Sequence, residues 1–316
     1  MNRIVALGLV AAIVGVALAL WALRPPPGDA VLAPRDPGDA AAVRVVVLER
    51  VSNASGLELV TRDGQRVVAT VDEVDAWEGP GAPPPLITFS DPRAGHYLGG
   101  EGSAGAFGEV EALAATAAGV LRFSYKTDAQ RVVLREGDRD VPLVEADTIA
   151  RLQLEANKVT TGPTYFEFEG MATTSDGGVA LLVAVVDPGA RETPRSTKAI
   201  LLLTFSAQGT LQRLTPPFRW PDGRLYTDYA AALDLTPEGL AIVPGFFEGG
   251  VAIIDPTSGR VLRWRRLPTR RVEGVKWDPE AHELYLVREC PGEGEHCAPG
   301  APFGTPLWIA WFPNGL

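Results

Sequence analysis

Residues 166–186 read Phe-Glu-Phe-Glu-Gly-Met-Ala-Thr-Thr-Ser-Asp-Gly-Gly-Val-Ala-Leu-Leu-Val-Ala-Val-Val. A short strand opens around Gly170, Ser175-Asp176-Gly177 supplies a tight turn, and Val179 to Val186 follows as an unbroken apolar run. A short apolar run bounded by turn signals fits a strand buried on both faces. One such unit needs neighbours on either side.

The neighbours are visible in the same chain. Ala54-Ser55-Gly56-Leu57 precedes Arg62-Asp63-Gly64 and the strand Val67 to Val71, and Val272-Glu273-Gly274-Val275 leads through Asp278-Pro279 to Leu284 to Val287. Two weaker copies are Glu111-Ala112-Leu113 ahead of Gly119-Val120-Leu121, and Ala231-Ala232-Leu233 ahead of Pro237-Glu238-Gly239-Leu240. A small residue thus falls at 56, 112, 170, 232 and 274. Around these units lie about a dozen short Val-, Ile- and Leu-rich runs separated by Gly, Pro and Asp, and no stretch beyond the N-terminus has a convincing helical period. That is the pattern of an all-β sandwich, barrel or propeller.

The regular recurrence favours a β-propeller. Innermost strands crowd around a central channel, so a residue without bulk is favoured where they start. Five starts predict five blades, with a degenerate sixth left open within residues 85–165. Ile253-Ile254-Asp255-Pro256-Thr257-Ser258-Gly259-Arg260-Val261-Leu262 reads as an outer hairpin. Closure is expected from pairing Val43 to Leu48 with Leu307 to Phe312, since two unpaired edges would invite aggregation.

Ahead of the repeat, Ile4 to Leu23 is twenty residues without a charge, closed by Arg24. That length just spans a hydrocarbon core. A cleavable signal usually has a shorter apolar stretch, and Trp21 beside Arg24 suits a membrane interface. An uncleaved anchor over residues 1–24 is favoured over a cleaved signal, although Ala17-Leu18-Ala19 could serve as a cut. Residues 25–42, with prolines at 25 to 27, 34 and 37, form a stiff spacer, and residues 43–316 form the propeller. The expected location is the inner membrane with a periplasmic domain, or export.

The net charge of −10 argues against nonspecific binding to nucleic acid or anionic lipid. The two cysteines, Cys290 and Cys297, flank a Gly/Pro-rich loop and read as a disulfide in an oxidising compartment. With His296 they offer three zinc ligands, but no fourth follows at a recognisable spacing. Gly-x-Ser-x-Gly is absent. Gly99-Gly100-Glu101-Gly102-Ser103-Ala104-Gly105 reads as a flexible loop, and Arg263-Trp264-Arg265-Arg266 as the exposed face of an outer strand.

The stretch Phe166-Glu167-Phe168-Glu169-Gly170-Met171-Ala172 with Ala180-Leu181-Leu182-Val183-Ala184, echoed by Glu273-Gly274, resembles the phytase-like, or "esterase-like activity of phytase", group of bacterial propellers. The resemblance is specific only around residues 165–205 and 270–290. Gluconolactonase-like and other six-bladed propellers share comparable Glu-Gly starts, so the motif selects no activity.

In a propeller, the start of each innermost strand and the end of the next open at one mouth of the channel. That geometry should gather Ser55, Glu111, Glu169 and Glu273 from the starts. From the following strand ends it should add Asp72, Glu73, Asp128, Asp187 and Glu289. Carboxylates in a ring need solvent, basic partners or a cation. Glu111, Glu169, Glu273, Asp72, Asp187 and Glu289 are therefore candidate ligands for Ca²⁺, which accepts many oxygens in loose geometry. Arg271 and Arg288 offer salt bridges instead. Two functions follow. One is a membrane-tethered module binding an unknown protein or small molecule. The alternative is a cation-dependent hydrolase of phosphate esters or lactones.

Overall fold

The computed structural model describes residues 38–51, 54–72, 86–102, 110–128, 131–188, 196–288 and 304–316. Strand β1 (Ala42–Glu49) comes first and joins the last blade. Blade 1 is β2 (Ala54–Arg62), β3 (Gln65–Asp72), β4 (Ile87–Ser90) and β5 (Tyr97–Glu101). Blade 2 is β6 (Val110–Ala115), β7 (Leu121–Asp128), β8 (Arg131–Glu136) and β9 (Arg139–Val144). Helix α1 (Ala146–Ala156) leads to blade 3, made of β10 (Tyr165–Thr173), β11 (Val179–Val186), β12 (Thr197–Phe205) and β13 (Leu211–Leu214). Blade 4 is β14 (Asp234–Leu235), β15 (Ala241–Pro244), β16 (Gly250–Asp255) and β17 (Arg260–Arg266). Blade 5 is β18 (Val272–Asp278), β19 (Glu283–Arg288), β20 (Gly304–Trp311) and the returning β1. These five antiparallel four-stranded sheets make a five-bladed β-propeller.

Each blade buries both faces, and where burial is complete the strand is apolar throughout. Val179–Val186 is buried at all eight positions. Its odd residues Val179, Leu181, Val183 and Val185 pack toward blade 2 with Leu134, Val141 and Leu152. Its even residues Ala180, Leu182, Ala184 and Val186 pack toward blade 4 with Val243, Ala252 and Ile254. Three further clusters fill the remaining seams between blades. The core is therefore five seams arranged around an axis.

The expected closure is present. Val43 pairs with Ala310 and Leu48 with Thr305 in an unbroken antiparallel register. The Asp-Pro-x-x-Gly outer hairpin forms between β16 and β17: Asp255 Oδ1 accepts from the Thr257 amide at 2.8 Å, and Gly259 takes φ 68°. The Arg263–Arg266 run lies on outermost strand β17.

Three expectations need correction. Residues 86–165 hold the outer half of blade 1, blade 2 and α1, with no sixth sheet among the described residues. Gly99 to Glu101, expected within a Gly-rich loop, belong to the edge strand β5, paired to β4 through Ile87 and Glu101. An edge strand needs backbone pairing on one side only, so glycines are tolerated there. Helix α1 was not expected at all. It buries Thr148, Leu152 and Ala156 at four-residue spacing against the seam between blades 2 and 3. With Ile149 packed beside them, these few contact positions raise no periodic signal above the charged remainder.

Candidate functional site: one mouth of the central channel

The small residues at 56, 112, 170, 232 and 274 converge on the axis, as the repeat predicts. A Cβ on Gly170 would come within 2.2 Å of the Leu233 amide nitrogen and 2.4 Å of the Ala232 carbonyl carbon. On Gly56 it would meet the Leu113 nitrogen at 2.5 Å, and on Gly274 the Leu57 nitrogen at 2.9 Å. Gly170 faces only the backbone of the next blade's inner strand, whereas a Cβ on Gly274 would also meet Val287 Cγ2 at 2.6 Å. The ring leaves an axial cavity of about 10 Å³, bordered by these residues together with Ser55 and Glu273.

Two residues farther along each inner strand comes a second ring: Glu58, Ala114, Ala172, Asp234 and Lys276. Glu58 Oε2 accepts from the Ala115 amide of blade 2 at 3.0 Å, and Asp234 Oδ2 from the Trp277 amide of blade 5 at 2.8 Å. Each carboxylate thus satisfies an N–H on the unpaired edge of the next inner strand. Lys276 has no acceptor to offer. Its Nζ instead lies 2.9 Å from Glu58 Oε1 and 3.1 Å from Asp234 Oδ1, joining blades 4, 5 and 1. Burial pushes the Glu58 carboxyl up, against the pull of Lys276. Burial disfavours the Lys276 ammonium too, but the charges of Asp234 and Glu58 outweigh it and hold its pKa above the ordinary value.

One residue before the small ring lies the layer singled out from sequence: Ser55, Glu111, Glu169, Ala231 and Glu273. Registers place the ends of the second strands at the same mouth, with Ala54 opposite Asp72, Tyr165 opposite Val186 and Val272 opposite Arg288. Glu111 is buried and ion-paired with Lys126 Nζ at 2.6 Å. Glu169 is buried and accepts from the Tyr229 hydroxyl at 2.7 Å. Glu273 is half-buried at the cavity edge. Asp187 sits 3.6 Å from Lys198 with both side chains well exposed, a pair that contributes little. The side chains of Asp72 and Asp128, and all of Glu73, Glu289, Cys290 and Cys297, lie outside the described residues, as do Ile4 to Leu23 and the spacer up to residue 37. Among the described residues no three His, Cys, Asp or Glu side chains gather as a metal group, and no helix is long and apolar enough to cross a membrane.

The same mouth holds residues that the repeat did not reveal. The connection from β13 to β14 brings in Tyr226, Asp228 and Tyr229, and the β15–β16 loop brings in Phe246, Phe247 and Glu248. Asp228 accepts from the Phe247 and Glu248 amides, both at 3.1 Å. The Phe246 amide donates to the Tyr229 carbonyl at 2.6 Å, and the Arg271 amide to the Phe246 carbonyl at 2.7 Å. Arg271 takes φ 54°, a left-handed conformation uncommon for a residue with a side chain. These bonds stitch blades 4 and 5 together at the rim. Phe246 packs edge-on against Tyr229, centroids 5.6 Å apart, and Phe247 edge-on against Phe246 at 5.0 Å. Both phenylalanines are half-buried.

Burial raises the Asp228 carboxyl to about 6; the two amide donors and Arg270 pull it back, and the charge of Glu248 adds to the rise. Gly245 makes room for it, since a Cβ there would overlap Asp228 Oδ2. The buried Tyr226 hydroxyl, beside the same glycine, has no hydrogen-bond partner among the described residues. Burial first, then the charge of Glu169, drives the Tyr229 phenol far up, so it remains a donor. No sequence signal marked this cluster except the aromatic pair after Pro244-Gly245.

A separate groove of about 610 Å³ runs between blades 1 and 2, away from the axis. Within it Arg62 lies over the Phe89 ring at 4.2 Å and pairs with Glu101 at 3.0 Å.

No protein-family model matches the chain, and no curated protein matches it. Among solved structures it is similar to a gluconolactonase from Xanthomonas campestris, with 15% identity and a TM-score of 0.46 over 92% of this chain and 99% of that one. It is also similar to the PQQ-bound aldose sugar dehydrogenase of Streptomyces coelicolor, at 14% identity and a TM-score of 0.41 over 88% and 99% of the two chains. A protein of unknown function from Bacteroides caccae shares 14% identity and a TM-score of 0.38; the chain spans 62% of that protein, using 66% of its own length. At these values the likeness says nothing about chemistry. The fold rests on the five sheets and their closure.

Proposed function

We propose that the protein is a ligand-binding propeller, tethered by residues 4–23 to the inner membrane and held in the periplasm by the spacer at 25–42. The ligand face is the mouth where the inner strands start. What carries this reading is the pairing of a half-buried aromatic patch, Phe246 and Phe247 on Tyr229, with Glu169 and Glu273 beside it. Below the mouth, the glycine ring narrows the axis to a water-sized space. A rigid concavity with aromatic walls and a few placed polar groups is the usual form of a small-ligand site. A thermal-shift screen of small metabolites on the intact protein and on Phe247→Ala tests it. Hits lost in the variant support the mouth; hits indifferent to Phe247, or none at all, count against it.

The hydrolase reading has one observation of its own. Asp228 is a carboxyl whose burial brings it to about 6 beside the same mouth, a value suited to proton transfer near neutrality. Ca²⁺ held among Glu111, Glu169, Glu273, Asp72, Asp187 and Glu289 would polarise an ester or lactone carbonyl there. This is the finer form of the phytase-like resemblance. Turnover of lactones or phosphate esters that requires calcium and is lost in Asp228→Asn would support it; no turnover with any cation would sink it.

A further inference from the structure

We propose that β17, the outermost strand of blade 4, lies against the membrane, its arginines facing anionic phospholipid headgroups and Leu262 and Trp264 seated among them. This rests on one part of the reading above, the tether through residues 4–23. Charge is the first support. From Gly259 to Val272 the chain holds six arginines, at 260, 263, 265, 266, 270 and 271, and no Asp or Glu. Four are on β17, where Arg260, Arg263 and Arg266 are exposed and Arg265 is half-buried. The acids at the two ends of the strand are engaged locally: Asp255 accepts from Thr257 and Ser258 within its own hairpin, and Asp39 from the Arg266 amide. The net charge of −10 opposes attraction of the whole molecule to an anionic surface. At physiological salt, however, charges are screened within about 8 Å, so a surface responds to the face in front of it.

The second is apolar side chains where an edge strand has no need of them. Arginines alone would guard an edge against pairing with another chain. Strand β17 also carries Leu262, 46% exposed, and Trp264, 37% exposed, two of the six large apolar side chains exposed among the described residues. A bulge leaves Leu262 without a partner in the register with β16. Trp264 lies across Gly250, where a Cβ would meet its indole nitrogen at 2.2 Å. Tryptophan among arginines suits a membrane–water interface, with the ring at headgroup level and the guanidinium groups toward phosphate.

The third is where the tether joins the propeller. The chain leading in from residues 4–23 meets it on this strand: the Asp39 amide donates to the Arg266 carbonyl at 2.9 Å, and the Arg266 amide to Asp39 Oδ2 at 2.7 Å. Residues 24–37 separate the apolar segment from Gly38. At about 3.1 Å per residue, that proline-rich length reaches about 43 Å. The basic strand is thus the part of the propeller fastened to the membrane lead, and a tether of this reach makes a weak surface contact effectively intramolecular. Each arginine near an anionic surface adds about fivefold to the occupancy of that contact.

The test is hydrogen–deuterium exchange of the full chain in two nanodiscs, one of phosphatidylcholine alone and one with phosphatidylglycerol added. Peptides covering residues 260–271 should exchange at least about threefold more slowly on the anionic disc, and high salt should abolish the difference. Arg263→Gln/Arg266→Gln should abolish it too, whereas Arg263→Lys/Arg266→Lys should keep most of it. The lysine pair separates lost charge from the lost hydrogen bond of Arg263 to the Leu316 main-chain oxygen. Equal exchange on the two discs overturns the proposal, and so does a difference that survives the glutamine pair. Protection of the same peptides by duplex DNA in detergent, with none on the anionic disc, overturns it in favour of a nucleic-acid surface. Flotation with phosphatidylcholine vesicles reports the apolar segment alone. A chain that floats there but shows no anionic protection keeps the tether and loses this inference. One that floats only with phosphatidylglycerol keeps the charged face and loses the tether; one that floats with neither loses both.

Discussion

Lys276 and Glu58, 218 residues apart, meet at 2.9 Å across the seam between the last blade and the first. The same ammonium also reaches Asp234, so a single side chain ties together three inner strands. Removing one partner from a buried charge cluster costs more than the cluster itself contributes, because it leaves an uncompensated charge.

Lys276→Met should therefore destabilise the protein by about 3–5 kcal/mol. Adding Glu58→Gln and Asp234→Asn should recover part of that loss. Urea denaturation of the single and triple variants measures both. A single variant within about 0.5 kcal/mol of the parent would mean the cluster is not buried as described.

The glycine ring makes an asymmetric prediction. Gly170→Ala drives a methyl into the backbone of Leu233 and Ala232 and should cost about 1–3 kcal/mol or more, as overpacking does. Ala112→Gly and Ala232→Gly, at the equivalent places in blades 2 and 4, create no overlap and should cost about 1 kcal/mol or less. Denaturant midpoints of the three variants decide it.

Asp228 gives stability a pH dependence of known sign. Its folded value, about 6, lies above its ordinary 3.8, so the native state holds the proton more tightly than the unfolded chain. The contribution is fully present below about pH 3.8 and is lost as pH rises to about 6, by at most about 3 kcal/mol. Relative to Asp228→Asn, the parent should lose melting temperature between pH 4 and pH 6 and run parallel above pH 7. A difference that stays constant with pH would remove the raised carboxyl from the account.

Closure by β1 predicts a failure mode. Without residues 42–49, β20 loses its outer partner along Gly304 to Trp311 and becomes an open edge, which promotes association. Size-exclusion chromatography of that deletion should show oligomers or aggregate where the parent elutes as a smaller species. A well-behaved deletion of unchanged size would show that β1 is dispensable.

Much of this architecture was legible because blades repeat. Gly170 and Gly274 sit where a Cβ would overlap the next blade, and the other ring positions also hold small residues, so the ring positions announced themselves. So did closure, since Val43 to Leu48 and Leu307 to Phe312 were the two strands left over. The second ring was legible in principle: counting two residues past each small position gives Glu58, Asp234 and Lys276. It went unread because charge on an inner strand looks like solvent exposure until the axial geometry is known. Asp228, Tyr229 and Phe247 were out of reach. They sit in connections whose course no repeat constrains, and only the hydrogen bonds between the β13–β14 and β15–β16 segments bring them to the mouth. Asp187, although placed at the expected mouth, meets Lys198 on the open surface.

The account's central claim is that ligand chemistry belongs to the mouth where the inner strands start. Hydrogen–deuterium exchange of the intact protein, with and without a ligand found in the thermal-shift screen, tests it most directly. Protection should concentrate in peptides covering residues 226–229, 245–249 and 271–275. Protection confined to the opposite turns, such as 175–178 and 237–240, or to the groove between blades 1 and 2, would contradict it.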